Sequence, residues 1–407
     1  MSGKLPNKLP KKVRVLLWGV MLSAIGNGLV LPYFFLYLHS VRGLAAWVAG
    51  GVAGFGALIS LLVSPLMGSA IDHWGPKPIL MGSLAISGVG YASLAYIHSA
   101  SFALISISIL SIGQSGMWPA QRSIQSELTP EHQRERMFGA SFAMLNIGIA
   151  IGGVVASLIV DLKNARTFEL LYLLDGASFF AYIVSVAFIG KVGHRTAAEK
   201  KVNSERTDGW RDVLADKVFV KFWLVSFAAI LCGYAQLEVG IGSFAVLVAK
   251  MKPSDLAYPL AVNTVLIASL QLHFVKKFAR VSRARALSLA ATLWAFSWIA
   301  ASFAGFNTHW ALGSMIICQI IFATGEMVWS PIVPSVTNQL APAHLRGRYN
   351  AASGNAWQLG MILGPLIAGS LLGAGLHLLW LGLLIVGLFA VAFFALRLQL
   401  PDRIAHE

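Results

Sequence analysis

Long apolar runs, interrupted by little more than Gly, Ser and single polar side chains, alternate with short loops along the whole chain. They lie at 15–38, 44–67, 79–98, 102–124, 137–160, 168–190, 219–248, 256–278, 286–305, 310–338, 349–373 and 376–398. A helix rises about 1.5 Å per residue, so about 20 apolar residues cross about 30 Å of hydrocarbon. The pattern predicts an all-α membrane protein with twelve transmembrane helices. Between the sixth and seventh runs the stretch KVGHRTAAEKKVNSERTDGW has no apolar period until Trp210, which predicts a polar linker. The expected organisation is a six-helix bundle over 1–190, a cytoplasmic linker over 191–218 and a second six-helix bundle over 219–407. Lys4, Lys8, Lys11, Lys12 and Arg14 precede the first run, as in a signal peptide. That run is too long for one, and Pro32, Tyr33 and Tyr37 stand where a small-residue cleavage site would be, so it is read as the first span.

Composition agrees with a bilayer as solvent. Hydrophobic residues make up 57% of the 407 and charged residues only 12%, too few to clothe a soluble fold of this size. The formal charge of +14 would suggest nucleic acid in a soluble protein, but here the basic residues flank apolar runs. Of the 31 Lys and Arg, 26 fall at the termini and in the even-numbered loops, leaving Arg42, Lys163, Arg166, Lys250 and Lys252 on the other side. The positive-inside rule then places both termini in the cytoplasm of a multi-pass protein of the cell inner membrane or plasma membrane. No nucleic-acid partner is implied. Cys232 and Cys318 lie inside apolar runs and read as packing residues rather than a disulfide framework.

An internal repeat appears at an offset of 212 residues. Leu128, Pro130, His132, Arg134 and Arg136 match Leu340, Pro342, His344, Arg346 and Arg348; within the helices, Gly113, Pro119, Gly148 and Gly152 match Gly325, Pro331, Gly360 and Gly364. Duplication of this kind predicts two bundles related by a pseudo-twofold axis along the membrane normal, meeting at a central cavity.

The loop Gly68-Ser-Ala-Ile-Asp72-His73-Trp74-Gly75-Pro76-Lys77 is similar to the G-x-x-x-D-R-x-G-R-K loop of the major facilitator superfamily, with His73 and Pro76 in place of arginines. Together with the architecture, it makes the chain resemble that superfamily and, more loosely, its twelve-span proton-coupled multidrug exporters. The resemblance implies that Asp72 latches the cytoplasmic side in the outward-open state, with Gly68, Gly75 and Lys77 in the same loop. Its partner would be the start of span eleven or an arginine such as Arg122, Arg136 or Arg348. The second-half loop Phe278-Ala-Arg280-Val-Ser-Arg283-Ala-Arg285 has neither the acid nor the glycine. Gly148-Ile-Ala-Ile-Gly152-Gly153 is close to the exporters' G-P-x-x-G-G signature without its proline, and it is equally what tight helix packing uses. Span four reads Ser106-Ile-Ser-Ile-Leu-Ser-Ile where those exporters carry an arginine, so any proton coupling is organised elsewhere.

Three carboxylates lie well inside spans: Asp175, Glu238 and Glu326. An ionisable group in hydrocarbon costs at least about 2.5 kcal/mol, so each needs a partner, water or a proton, and each is a proton-coupling or substrate candidate. Glu326 sits about 16 residues into span ten, roughly 24 Å along the helix and near the midplane. Its repeat partner is the neutral Gln114. A carboxylic acid in a low-dielectric cavity can take a proton near neutral pH, and the resemblance adds that several exporters carry a coupling acid here. The alternative is a hydrogen bond to a neighbouring helix. Glu238 is also near mid-depth, with pathway and packing roles equally open; Gln236 two positions away points to another face, so one of the two faces the cavity squarely, and Gln236, like Gln114, is a cavity polar candidate. For Asp175, near the outer end of span six, depth and Ser178 favour a structural hydrogen bond, although a D-x-x-S-F pattern also resembles the exporters.

Asn27 and Gln358 are neutral polar groups at comparable depth that either meet substrate or bridge helices. Trp118, Trp329 and Trp357, with Tyr33, Phe34, Phe35 and Tyr37, offer an aromatic wall for an amphipathic or cationic guest, against the commoner lipid-facing reading. The scattered histidines do not suggest a metal, a phosphate-binding Walker loop is missing and so is a nucleophile elbow. No cofactor is implied, and the chain reads as a carrier rather than an enzyme. The leading expectation is a secondary active exporter of small amphipathic or cationic compounds, proton-coupled, working by rocker-switch alternating access as a monomer in the lipid bilayer. A proton symporter or uniporter importing a sugar or peptide is the alternative; a lipid flippase or polytopic membrane enzyme is the alternative of another class.

Overall fold

In the computed structural model of the chain the described residues are 9–161, 164–199, 202 and 208–401, without the side chains at positions 46, 47, 238, 253 and 254. Much of the linker, and Lys163, lie outside them. Among the described residues all regular elements are helical. The long helices are α1 (Lys11–Val30), α2 (Ala46–Trp74), α3 (Pro76–Leu94), α4 (Ala100–Leu128), α5 (Arg134–Ile159), α6 (Ala165–Ala187), α7 (Lys217–Cys232), α8 (Ala257–Phe278), α9 (Arg283–Phe306), α10 (Ala311–Leu340), α11 (Arg346–Gly373) and α12 (His377–Leu396). Among the described residues eleven helical stretches are long and apolar enough to cross a membrane. The remaining one, α3, is 19 residues long and diluted by three Gly and three Ser.

The chain forms two compact units, Met1–Gly209 with Ala341–Gly354, and Trp210–Leu340 with Asn355–Glu407. In the first, α1 packs on α5 and α6, α3 on α4 and α6, and α2 on α4. In the second, α9 packs on α10 and α12, α8 on α10, and α7 on α12. The repeated glycines explain how those contacts close. A Cβ on Gly148 or Gly152 would run into α1 backbone around Met21, Ile25 and Gly28, while one on Gly360 or Gly364 would strike Ile230 and Ala235. Without a hydrophobic drive between helices in lipid, such close backbone approach is what holds them. Large apolar side chains are accordingly left outward, as at Leu158, Phe188 and Phe306.

Two spans differ from the continuous helices expected. The first leaves α-geometry after Val30, passing through a 3-10 turn (Leu31–Tyr33), a short α turn and a π segment (Tyr37–Val41). Pro32 stands at the change, and its missing N–H and ring break the hydrogen-bond ladder. The seventh, expected over 219–248, is three pieces: α7, then Ala235–Glu238, then Gly240–Leu247. Gly233 leaves helical geometry at φ −110°, ψ −93°, and a Cβ there would meet Ala229 O and the Trp294 ring. Backbone freed by such a break must find partners within the protein. Gln236 does part of this, donating from Nε2 to Leu231 O at 2.8 Å.

Candidate functional site

In the second unit the site is built around α10. Glu326 is 5% exposed. Its Oε2 accepts from Asn263 Nδ2 of α8 at 2.6 Å, and the same amide nitrogen donates to Gln319 Oε1, two turns earlier on α10, at 3.1 Å. The Tyr234 side chain, from the break after α7, also lies beside Glu326. Aromatic rings sheathe this polar group: Tyr234 lies 5.0 Å from Trp294, 5.0 Å from Trp357 and 5.8 Å from Phe322, centroid to centroid. Trp294 stacks on Phe322 at 5.0 Å and packs against Trp329 at 5.2 Å.

The local sequence explains why α10 accepts this packing. Gly325 has no side chain, so the Trp294 indole of α9 presses against the backbone where a Cβ would stand, and its Nε1 donates to Phe322 O at 3.1 Å. Pro331 lacks an N–H, leaving the carbonyl four residues earlier without its helical partner. That carbonyl, Met327 O, accepts from the fully buried Gln271 Nε2 of α8 at 3.0 Å. Two amides of α8, Asn263 and Gln271, thus serve α10 at the acid and at the proline.

Other residues expected at the site are placed as follows. The Glu238 side chain lies outside the described residues. Gln236 corrects an expectation: it is 1% exposed, and its amide is spent inside the protein, on Leu231 O and as acceptor from Trp380 Nε1 at 2.9 Å. It is a brace for the broken seventh span. Trp329 is buried, Trp357 is 38% exposed, and Gln358 is half-buried on α11.

In the first unit, Asp175 is fully buried on α6. A Cβ on Gly26 of α1 would collide with Asp175 Oδ1 and Ser178 Oγ, so the carboxyl lies flat on α1 backbone. Ser178 Oγ donates to the backbone carbonyl of Asp175 at 2.7 Å and approaches its Oδ1 at 3.4 Å. Asn27 Oδ1 accepts from the Tyr91 hydroxyl of α3 at 2.8 Å, bridging helices. Gln114 and Trp118 are half-buried on α4, and the half-buried Tyr33 meets Phe168 edge-on at 6.2 Å. Tyr37 corrects a second expectation. It is 0% exposed, its one O–H is shared between the carbonyls of Leu94 at 2.8 Å and Ala95 at 2.9 Å at the end of α3, and its oxygen accepts from Arg42 Nε at 2.8 Å. With Arg42 also paired to Glu169 at 2.9 Å, Tyr37 is an internal post, not a wall facing a guest.

The α2–α3 loop is also in the first unit, which includes the start of α11. Asp72, 4% exposed, accepts at Oδ1 from Gly347 N at 2.6 Å, and at Oδ2 from Arg348 N at 3.2 Å and Arg348 Nη1 at 3.1 Å. The first N–H groups of a helix have no intrahelical acceptor, so a carboxylate there gains two charge-assisted bonds and the helix dipole. Gly68 and Gly347 permit the approach, since a Cβ on either would strike the other's strand of backbone. Gly75 turns the chain at φ +94°, a conformation that favours glycine. Lys77 turns elsewhere: its Nζ donates to Gly190 O and Ala187 O, capping the end of α6. Arg122 and Arg136 are half-buried on α4 and α5.

Sequence reasoning missed Asn263, Gln319, Tyr234 and Gln271. For Gln271 a signal exists, a proline in α10 whose orphaned carbonyl needs a donor. Asn263 is one of two amides in an apolar run, which marks a polar contact without saying with what.

Apolar helices long enough to cross a membrane, with buried acid and amide groups on them, define a multi-pass membrane protein. The family model described as Major Facilitator Superfamily matches residues 16–365, and the chain belongs to that family. Its relatives include the quinolone resistance protein NorA of Staphylococcus aureus (strain MSSA476), 23% identical over 371 residues that cover 89% of this chain and 90% of NorA. The uncharacterized MFS-type transporter YttB of Bacillus subtilis (strain 168) is 23% identical over 377 residues, 89% of each chain. Among solved structures, a bacterial homologue of the iron transporter ferroportin in an outward-facing state matches with a TM-score of 0.79 at 14% identity, covering 95% of this chain and 99% of its own. The human organic anion transporter MFSD10 matches with a TM-score of 0.69 at 16% identity, covering 95% and 98%. At those identities the structures speak for the fold alone.

Proposed function

We propose that this chain is a secondary active exporter that moves small amphipathic or cationic compounds in exchange for protons by alternating access, with Glu326 as the group that takes up and releases the proton. The observation that carries the reading is the setting of Glu326. It is 5% exposed in an aromatic sheath, and its polar partners among the described residues are the uncharged Asn263 and Tyr234 rather than a Lys or Arg. A buried carboxylate without a cation is expensive to keep charged and is relieved by a proton. The same aromatic and acidic surroundings suit an organic cation, which ring faces and a carboxylate attract together. Kinship with a quinolone resistance protein supports export of drug-like compounds.

In this reading the halves 1–190 and 219–407 are joined by the linker 191–218, both termini are cytoplasmic by the positive-inside rule, and the protein works as a monomer. Asp72 at the start of α11 is the latch of the cytoplasmic side, closed by its bonds to Gly347 and Arg348. Glu238 shares the pathway with Glu326.

The test is transport in everted membrane vesicles under an imposed proton gradient, with ethidium and a fluoroquinolone as probes. Wild type accumulates at least one of them, and collapse of the gradient stops it. Glu326→Gln removes the proton site with little change of shape, so it is expected to lose gradient-driven uptake while keeping its melting temperature. Uptake by Glu326→Gln at the wild-type rate would overturn the assignment.

A further inference from the structure

We infer that Asn263 is a positioning residue that reads the protonation state of Glu326, its amide turning over, together with that of Gln319, when the acid gains a proton. The inference rests on the proposed role of Glu326 and deepens it.

The hydrogen-bond inventory of the three side chains leads there. Both amide hydrogens of Asn263 are committed, one to Glu326 Oε2 at 2.6 Å and the other to Gln319 Oε1 at 3.1 Å. A carboxylate only accepts, so this arrangement serves the charged form. Gln319 is 1% exposed, and its Nε2 has no hydrogen-bond partner among the described residues. A buried donor left this way is costly. When the proton sits on Oε2, the oxygen that faces Asn263, its O–H must donate, and a nitrogen already used as a donor cannot receive it. Turning the Asn263 amide by half a revolution presents Oδ1 instead. A carbonyl oxygen has two lone pairs, so it accepts the Glu326 O–H and has room for one more donor. Turning the Gln319 amide supplies that donor, its formerly unpartnered Nε2. In each arrangement Asn263 keeps one hydrogen bond to Glu326 and one to Gln319, with donor and acceptor exchanged, and no atom beyond the transferred proton is needed.

The surroundings suit a two-position relay. Among the described residues Tyr234 is the other titratable group beside Glu326, and a phenol can donate to either form of the acid. Among the described residues, the elements packed on α10 otherwise bring uncharged groups here, Asn263 from α8 and, against the same helix, Trp294 from α9. Asn263 sits on α8 while Glu326 and Gln319 sit on α10, so the polarity of the α8–α10 contact reverses with the proton. An element with two discrete arrangements, each favoured by one state of the acid, is what coupling between sites requires.

The experiment is pH-difference infrared spectroscopy of the full-length purified protein in lipid nanodiscs, which reads the protonated-carboxyl C=O band without any transported probe. Glu326→Gln assigns the band: its disappearance confirms that Glu326 titrates, whereas a band that persists unchanged defeats the reading of Glu326 and, with it, the relay. Given that assignment, Asn263→Leu removes the donor to the carboxylate, and the midpoint of the band is expected to move to higher pH by about one unit, since a bond to the charged form favours that form. The side-chain amide bands that change with the titration in wild type are expected to vanish. Asn263→Ser, whose hydroxyl both donates and accepts, is expected to restore at least half of the shift. Gln319→Leu keeps the bond to Glu326 and provides the readout should Asn263→Leu fail to fold; it is expected to abolish the amide change with a smaller midpoint shift. An unchanged midpoint and unchanged amide bands in the folded variants would overturn the relay.

Discussion

Asp175 on α6 and Glu326 on α10 are both buried carboxyl groups in apolar helices, yet their neighbours differ in kind. Asp175 is pressed onto α1 at Gly26, where its closest polar company is Ser178 of its own helix. Glu326 is reached by side chains from other elements, an amide from α8 and a phenol from the break after α7, inside a shell of indole and phenyl rings. In the first arrangement the carboxyl lies in the gap that the missing Cβ of Gly26 makes, against α1. The second contains side chains that rotate about their own bonds without moving a helix. Burial therefore does not by itself distinguish a working acid from a packing acid. What distinguishes them is whether their partners have a second position to adopt.

The comparison breaks first at Gly26. Gly26→Leu would put a branched side chain where Asp175 Oδ1 and Ser178 Oγ already stand, forcing α1 and α6 apart. Overpacking of this kind costs about 3 kcal/mol when the neighbours are backbone and short side chains. No other substitution at the two acids is expected to have so large an effect on folding: the monodisperse protein peak is lost, or the melting temperature falls by several degrees, in detergent-solubilised material. A melt that superimposes on wild type would mean that the α1–α6 contact is looser than its geometry.

The contrast is half legible in the sequence. Apolar length alone identifies the spans, and the 212-residue repeat pairs Glu326 with Gln114 without a structure. An acid in an apolar run announces itself because its cost in hydrocarbon is large. The partners do not announce themselves. In a soluble helix the apolar face tells which side is inward, but a helix that is apolar all round has no such phase. Nothing in the run Ala261-Val-Asn263-Thr-Val therefore says that Asn263 faces α10. The break at Gly233 is hidden for a related reason: glycine is common in membrane helices, and only the Trp294 ring against it shows why this one leaves helical geometry. Tyr37 and Gln236 depart from expectation because a polar tip on an apolar span can serve either a guest or the backbone. Here the end of α3, and a carbonyl at the break in the seventh span together with the Trp380 indole, have first claim on them.

Asp175→Asn sharpens the comparison with a smaller effect. Asparagine has nearly the shape of the acid and cannot take up a proton. If Asp175 serves only the α1–α6 contact, gradient-driven transport stays within about twofold of wild type, the ordinary range for a substitution that leaves packing intact, and its pH profile is unaltered. Glu326→Gln, an equally conservative change, is expected to stop transport. Loss of transport in a well-folded Asp175→Asn protein would place a second proton site on α6 and end the distinction between the two acids.

The smallest effect is expected where the repeat itself is used as the instrument. Gln114 and Glu326 follow equivalent glycines, and placing Gln114→Glu in the Glu326→Gln background moves the acid from one half to the matching position in the other. The new surroundings are not equivalent. A Cβ on Gly113 would meet Ser87 and the backbone of α3, where one on Gly325 would meet the Trp294 indole, and the residue at the repeat position of Gln319 is Ile107. The transplanted acid would therefore lack the buried amide that stands beside Glu326 on its own helix. Gradient-driven uptake in the double variant is expected to differ from that of Glu326→Gln alone by less than about twofold, the scale of ordinary variant-to-variant change. Recovery to a large fraction of the wild-type rate would show that depth in the bundle suffices and that Asn263, Gln319 and Tyr234 are bystanders. Continued inactivity in a double variant that melts like its parent is the outcome expected if proton coupling belongs to the acid together with the side chains that answer it.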